Sequence, residues 1–203
     1  MSFIARITRP TGTPRNSNWG LLNSPRRIII HHTVTSAVPG TIPYHFVVHT
    51  NGTIHFGINT THITGATLHN NNDSIMIAAV GNWDDRPCAS NGMLPTNGAT
   101  GAMSQTQSQR LTEIIADCLL SFPTIARQNS FNLLASQMNH FAMASRQTLA
   151  ESFRRHTRAG IKGHDDALNE ASRCPGVRLY NLCRNTIVPN AIHMANTFPL
   201  DIH

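Results

Sequence analysis

Residues 27–33 read RIIIHHT, an apolar run that ends on two adjacent histidines. A run of this length with three isoleucines predicts a strand buried on both faces. Its last two residues admit two readings. In one, His31 and His32 are core-edge histidines, hydrogen-bonded or solvated where the strand ends. In the other, one of them is a metal ligand held at the carboxyl end of a rigid strand. Neighbouring strand residues face opposite ways, so a single metal takes one of the pair.

Around this strand the chain alternates strand and helix signals, which predicts a mixed α/β fold. YHFVVHTNGTIHFG (44–57) holds two short alternating runs about Asn51-Gly52, the signature of a hairpin with a type I′ turn. SIMIAAVGNW (74–83) is a second buried strand. DDRPCASNGMLPTNGATGA, after Trp83, is rich in Gly, Pro and Asn and predicts a loop. Ser104 and Gln107 form a capping-box pattern, and Leu111, Ile114, Ile115, Cys118 and Leu119 then share one helical face up to Pro123. Residues 130–158 continue with Phe131, Leu134, Ala135, Met138, Phe141 and Ala142 at helical spacing. A short strand, AGIKGH, follows, and Pro175 predicts a first-turn proline for a helix over about 176–184.

Composition bounds the function. The 203 residues suit one domain, 1–203, with room for a core, and neither an internal repeat nor an interdomain linker interrupts them. Hydrophobic residues make up 40%, yet no apolar run approaches the roughly 18 residues of a membrane span. The start, MSFIARITRPTGTPRNSNWG, lacks the apolar centre of a cleavable signal peptide. A protein made in the cytoplasm and reaching its target after lysis or by non-classical export is therefore expected. Four scattered cysteines do not make a disulfide scaffold. The net charge is +6 with only 13% charged residues. Such a field attracts polyanions, cell wall and nucleic acid included, but no aromatic-basic interleaving marks a nucleic-acid groove.

Twelve histidines invite a metal reading, although His45, His49, His55, His62 and His69 can equally line the hairpin and its loop. The pair that matters comes late: His164 closes a strand and Cys174 follows ten residues on. With His31 or His32 they supply two imidazoles and one thiolate. Three protein ligands and an open fourth position is the pattern of catalytic zinc.

Four blocks in order, RIIIHHTVT, PYHFVVHTNGTIHFG, NNNDSIMIAAVGNW and KGHDDALNEASRCPG, resemble the zinc-dependent N-acetylmuramoyl-L-alanine amidases. That family includes the bacteriophage T7-type lysozyme and the peptidoglycan recognition proteins. The blocks span about residues 27–180, and the resemblance implies an amidase core over about 25–185 with a central mixed sheet and flanking helices. It implies zinc held by His31, His164 and Cys174, with His32 as a neighbour. It also implies that Tyr44 contacts the catalytic water or the developing oxyanion, and that Ser172 stands where many active members carry lysine or threonine. Glu170, Asp165 and Asp166 are the carboxylates close to the ligands in sequence, and Glu170 is the candidate for proton transfer.

The implied activity is hydrolysis of the amide between N-acetylmuramic acid and L-alanine in peptidoglycan. The implied partners are peptidoglycan or muropeptides, with an immunity or inhibitor protein if the chain is an exported antibacterial effector. The alternatives are a muropeptide-recognition protein that does not cut and a zinc-stabilised structural or nucleic-acid module. Non-cutting members typically lose the cysteine, which is present here. Besides Ser172, the chain departs from the pattern in four places. The interval from His164 to Cys174 is two residues longer than usual. Met76 replaces the usual glycine, the helix that commonly precedes the tyrosine is missing, and an added helical segment is expected near 125–158.

Overall fold

In a computed structural model the described residues are 7–34, 38–67, 71–83, 102–131, 159–164 and 174–198. Five strands form one sheet in the order β3-β2-β4-β1-β5: β1 (Arg27–His32), β2 (Phe46–Val48), β3 (Ile54–Phe56), β4 (Ser74–Ala79) and β5 (Gly160–Gly163). β1 lies at the parallel centre, pairing Ile29 with Met76 of β4 on one side and with Lys162 of β5 on the other. β2 runs parallel to β4, and β3 returns antiparallel as a hairpin.

The two faces of the sheet are covered differently. Ile28 and Ile30 of β1, Ile75 and Ile77 of β4 and Ile161 of β5 pack in one large core. That core also takes in helix α1 (Gln105–Ser121) and the C-terminal helices α2 (Val177–Leu182) and α3 (Val188–Thr197). Ile29, Met76, Val47 and Ala78 point the other way and are covered by loop residues Val38, Ile42, Tyr44 and Ala66. Because side chains alternate along a strand, His31 belongs to this loop-covered face and His32 to the helix-covered one.

The α1 stripe Leu111, Ile114, Ile115, Cys118 and Leu119 is buried as its spacing predicts. Ser104 Oγ accepts from the Gln107 N–H at 3.0 Å, one half of the capping box. The other half is absent. Gln107 Nε2 instead donates to the carbonyls of Val48 (3.0 Å) and Val80 (2.9 Å), tying the helix start to the ends of the sheet. Asp117, fully buried on α1, accepts from the N–H groups of Ile7 and Thr8 and from the Thr8 hydroxyl, which straps the N-terminal segment to the helix.

Three sequence expectations need correction. The hairpin turn is not type I′: Gly52 takes φ +86°, while Asn51 is not among the residues with positive φ. Gly52 N–H donates to the His49 carbonyl and His49 N–H to that of Thr53, so the reversal is a three-residue loop closed by a left-handed glycine. The last helix is longer than 176–184. It begins at Val177, passes through a π turn over Cys183–Ile187 and continues to Thr197. Pro175 precedes it in a cis peptide with Cys174, outside the first turn. The segment expected to be helical from 125 is not so in its described part. Residues 126–131 contain no helical turn, and Asn129 forms a parallel bridge to Ile161. The remainder of the stripe, from Leu134 to Ala142, lies outside the described residues. No helix is long and apolar enough to cross a membrane among the described residues.

Candidate metal centre

Each element delivers one donor to the same end of the sheet. His31 is the fifth residue of β1 and buried. His164 directly follows β5, the strand parallel to β1, so parallel pairing sets the two imidazoles side by side, with ring centroids 4.5 Å apart. Cys174 stands in the turn that leads into α2. One donor atom from each of His31, His164 and Cys174 lies within 4.8 Å of the others. His31 Nδ1 faces Cys174 Sγ at 3.6 Å, and the backbone N–H of His32 donates to the same sulfur at 3.3 Å.

The electrostatics favour ligand forms of these groups. Burial, with His164 and His32 nearby, holds His31 well below the usual histidine range. Burial lowers His164 to about 4. Both rings are therefore neutral at pH 7 and keep a nitrogen lone pair. Among the described residues His164 Nε2 is buried without a hydrogen-bond partner. A buried polar atom left unpaired is costly, and a cation bound among these donors would satisfy it. Two imidazoles, one of them carrying the orphaned nitrogen, and one thiol suit zinc.

Tyr44, two residues before β2, stacks its ring at 4.9 Å from the His31 ring. Burial, with the Cys174 sulfur adding to it, pushes its phenol well above the usual tyrosine range, so the hydroxyl stays protonated and can donate. Ser172, Glu170, Asp165 and Asp166 lie outside the described residues.

The other histidines divide by environment. His32 turns its ring to the opposite face, where Nδ1 accepts from the Trp83 N–H at 3.3 Å. His45 is fully buried and structural. It accepts from the Met76 N–H at Nδ1 (2.8 Å) and reaches the His62 carbonyl from Nε2 (3.0 Å). His49 and His55 pair across the hairpin with ring centroids 6.4 Å apart, away from the donor cluster. Sequence reasoning missed Thr67, whose hydroxyl meets His31 Nε2 at 3.1 Å. A threonine within ITGATL carries no local signal for that contact.

This is the fold shared by the N-acetylmuramoyl-L-alanine amidases and the peptidoglycan recognition proteins, as comparison with solved structures shows. The endolysin amidase LysCS from Clostridium intestinale is 16% identical with a TM-score of 0.52, over 85% of this chain and 91% of that chain. Drosophila peptidoglycan recognition protein SD is 16% identical with a TM-score of 0.54, over 85% and 88%. The recognition protein SA of Apis mellifera is 18% identical with a TM-score of 0.51, over 86% and 90%. No protein-family model and no curated protein sequence matches this chain.

Proposed function

We propose that this protein is a zinc hydrolase that cuts the amide between N-acetylmuramic acid and L-alanine in bacterial peptidoglycan. The observation that carries the reading is the convergence of His31, His164 and Cys174 at one end of the sheet, with a buried imidazole nitrogen left unpaired. Zinc held there lowers the pKa of a bound water to about 7 and polarises a carbonyl. The chain's own residues supply the rest. Neutral His31 and His164 bind without first losing a proton. The His32 N–H stabilises negative charge on Cys174 Sγ.

Tyr44 keeps its proton and donates it as a hydrogen bond to the oxyanion formed when the lactyl carbonyl is attacked. Ser172 is assigned as a second donor, and Glu170 as the group that passes the proton to the leaving L-alanine nitrogen. We read residues 1–203 as one catalytic domain whose core spans about 25–185. Intact Cys174 favours cutting over recognition alone, because a muropeptide can be bound without a thiolate.

Purified peptidoglycan digested by the zinc-loaded protein should release free stem peptides beginning at L-alanine, detected by mass spectrometry. A chelator should stop the release and added zinc restore it. Binding of muropeptide with no release by the zinc-loaded protein would establish the recognition reading instead.

A further inference from the structure

Thr67 is 1% exposed, in the loop that covers the site face of the sheet, and is anchored there by its N–H donating to Asn71 Oδ1 at 2.8 Å. Among the described residues its hydroxyl has two polar neighbours, His31 Nε2 at 3.1 Å and Met76 Sδ at 3.5 Å. A thioether sulfur has no proton and can only accept. A hydroxyl proton directed to Met76 leaves an oxygen lone pair for His31. In that arrangement Nε2 carries the imidazole proton and Nδ1 keeps its lone pair. Nδ1 is the nitrogen that faces Cys174 Sγ. Donation in that arrangement runs one way, from His31 through Thr67 to Met76.

We propose that Thr67, backed by Met76, is a positioning residue that locks His31 in the tautomer and ring orientation that present Nδ1 to a metal ion. The proposal rests on the reading of His31 as a ligand given above. A free imidazole exchanges between two tautomers, and only one of them leaves Nδ1 able to bind. Partners that fix a ligand histidine in this way typically change metal affinity by about 10- to 100-fold when removed. Met76 also acquires a purpose. The position is buried against Ile29, and the thioether supplies an acceptor that an aliphatic side chain there would not.

The test uses Thr67→Val, which keeps the shape and removes the hydroxyl, and Thr67→Ser, which restores it. The first readout needs no metal: imidazole nitrogen shifts of His31 in the metal-free protein report which nitrogen is protonated. The parent and Thr67→Ser should show the Nε2–H tautomer alone, and Thr67→Val a mixture. The second is zinc affinity by chelator competition, expected about 10- to 100-fold weaker in Thr67→Val and close to the parent in Thr67→Ser. Met76→Leu should fall between the two, because the hydroxyl remains but loses its acceptor. An Nδ1–H tautomer in the parent, or parent tautomer and affinity in Thr67→Val, would overturn the proposal. A parent that binds zinc but releases no stem peptide would overturn the hydrolase reading and leave the role of Thr67 intact.

Discussion

Tyr44 and His31 share a ring contact, yet the proposed function gives their hydroxyl and imidazole different work, and substitution separates the two. Tyr44→Phe keeps the ring and its packing. Turnover should drop by roughly 100- to 1,000-fold, the usual effect of deleting one oxyanion donor, with zinc content and thermal stability unchanged. A parent-like rate would make Tyr44 a packing residue. The adjacent histidines divide along the two faces of β1. His31→Ala should abolish zinc binding, measured by metal analysis after dialysis. His32→Ala should retain zinc and lose about 1–3 kcal/mol in urea unfolding, because the Trp83 N–H is left buried without its acceptor. Loss of zinc in His32→Ala alone would reverse the assignment.

His45 gives the fold an acid-sensitive element away from the donors. Burial lowers it to about 4 while the unfolded chain titrates near 6.5, so the fold prefers the neutral ring. The stability this gives is complete above about pH 6.5. It is lost as pH falls from there to about 4, at up to about 1.4 kcal/mol per pH unit. Urea unfolding of the metal-free protein at pH 7 and pH 5 should show that loss. His45→Ala should be less stable at pH 7, with a flatter dependence on pH.

Among the elements, the hairpin shows where local pattern and local geometry part. Asn-Gly between alternating runs correctly marks a reversal, but the loop length and the pairing of His49 with Thr53 select a loop in which only Gly52 is left-handed. Helix α1 then presses on it. A Cβ at Gly52 would stand 2.5 Å from Thr106 Cγ2 and 3.1 Å from Arg110 Cγ. Gly52→Ala should therefore cost about 1 kcal/mol or more in urea unfolding, since positive φ and the helix contact both resist a side chain. An unchanged midpoint would mean that the hairpin and α1 separate easily.

The C-terminal helix was under-read for a related reason. Arg184, Asn185 and Thr186 interrupt the apolar periodicity, and Pro189 lacks an N–H to continue an ordinary ladder. The π turn over Cys183–Ile187 lets one helix continue across both.

At the scale of the molecule, the centre of the sheet was legible because β1 and β4 are built on short apolar runs, and RIIIHH and SIMIAA read as little else. The grouping of His31, His164 and Cys174 was legible through four ordered blocks, since these place two of the residues at strand ends and one in a loop whatever lies between them. What was not legible depends on contacts far apart in sequence. Thr67 meets His31 across 36 residues, and the partners of Gln107 lie 59 and 27 residues away. The non-helical course of 126–131 was hidden for the same reason, because a bridge from Asn129 to Ile161, not local propensity, decides it.

Strand β5 is bounded by two weakly local pairings, with β1 on one side and with residues 128–130 on the other. It also leads straight into His164. Opening this one strand would release a donor while the hairpin and β4 stay closed, so occupancy by a metal must resist that particular fluctuation. Hydrogen–deuterium exchange turns the coupling into a spatial map. Added zinc should slow exchange at the amides of 160–163 and leave those of the β2–β3 hairpin unchanged. Metal bound at 100 times its dissociation constant can deepen protection by up to about 2.7 kcal/mol. Uniform slowing across the sheet would mean instead that the molecule opens only as a whole.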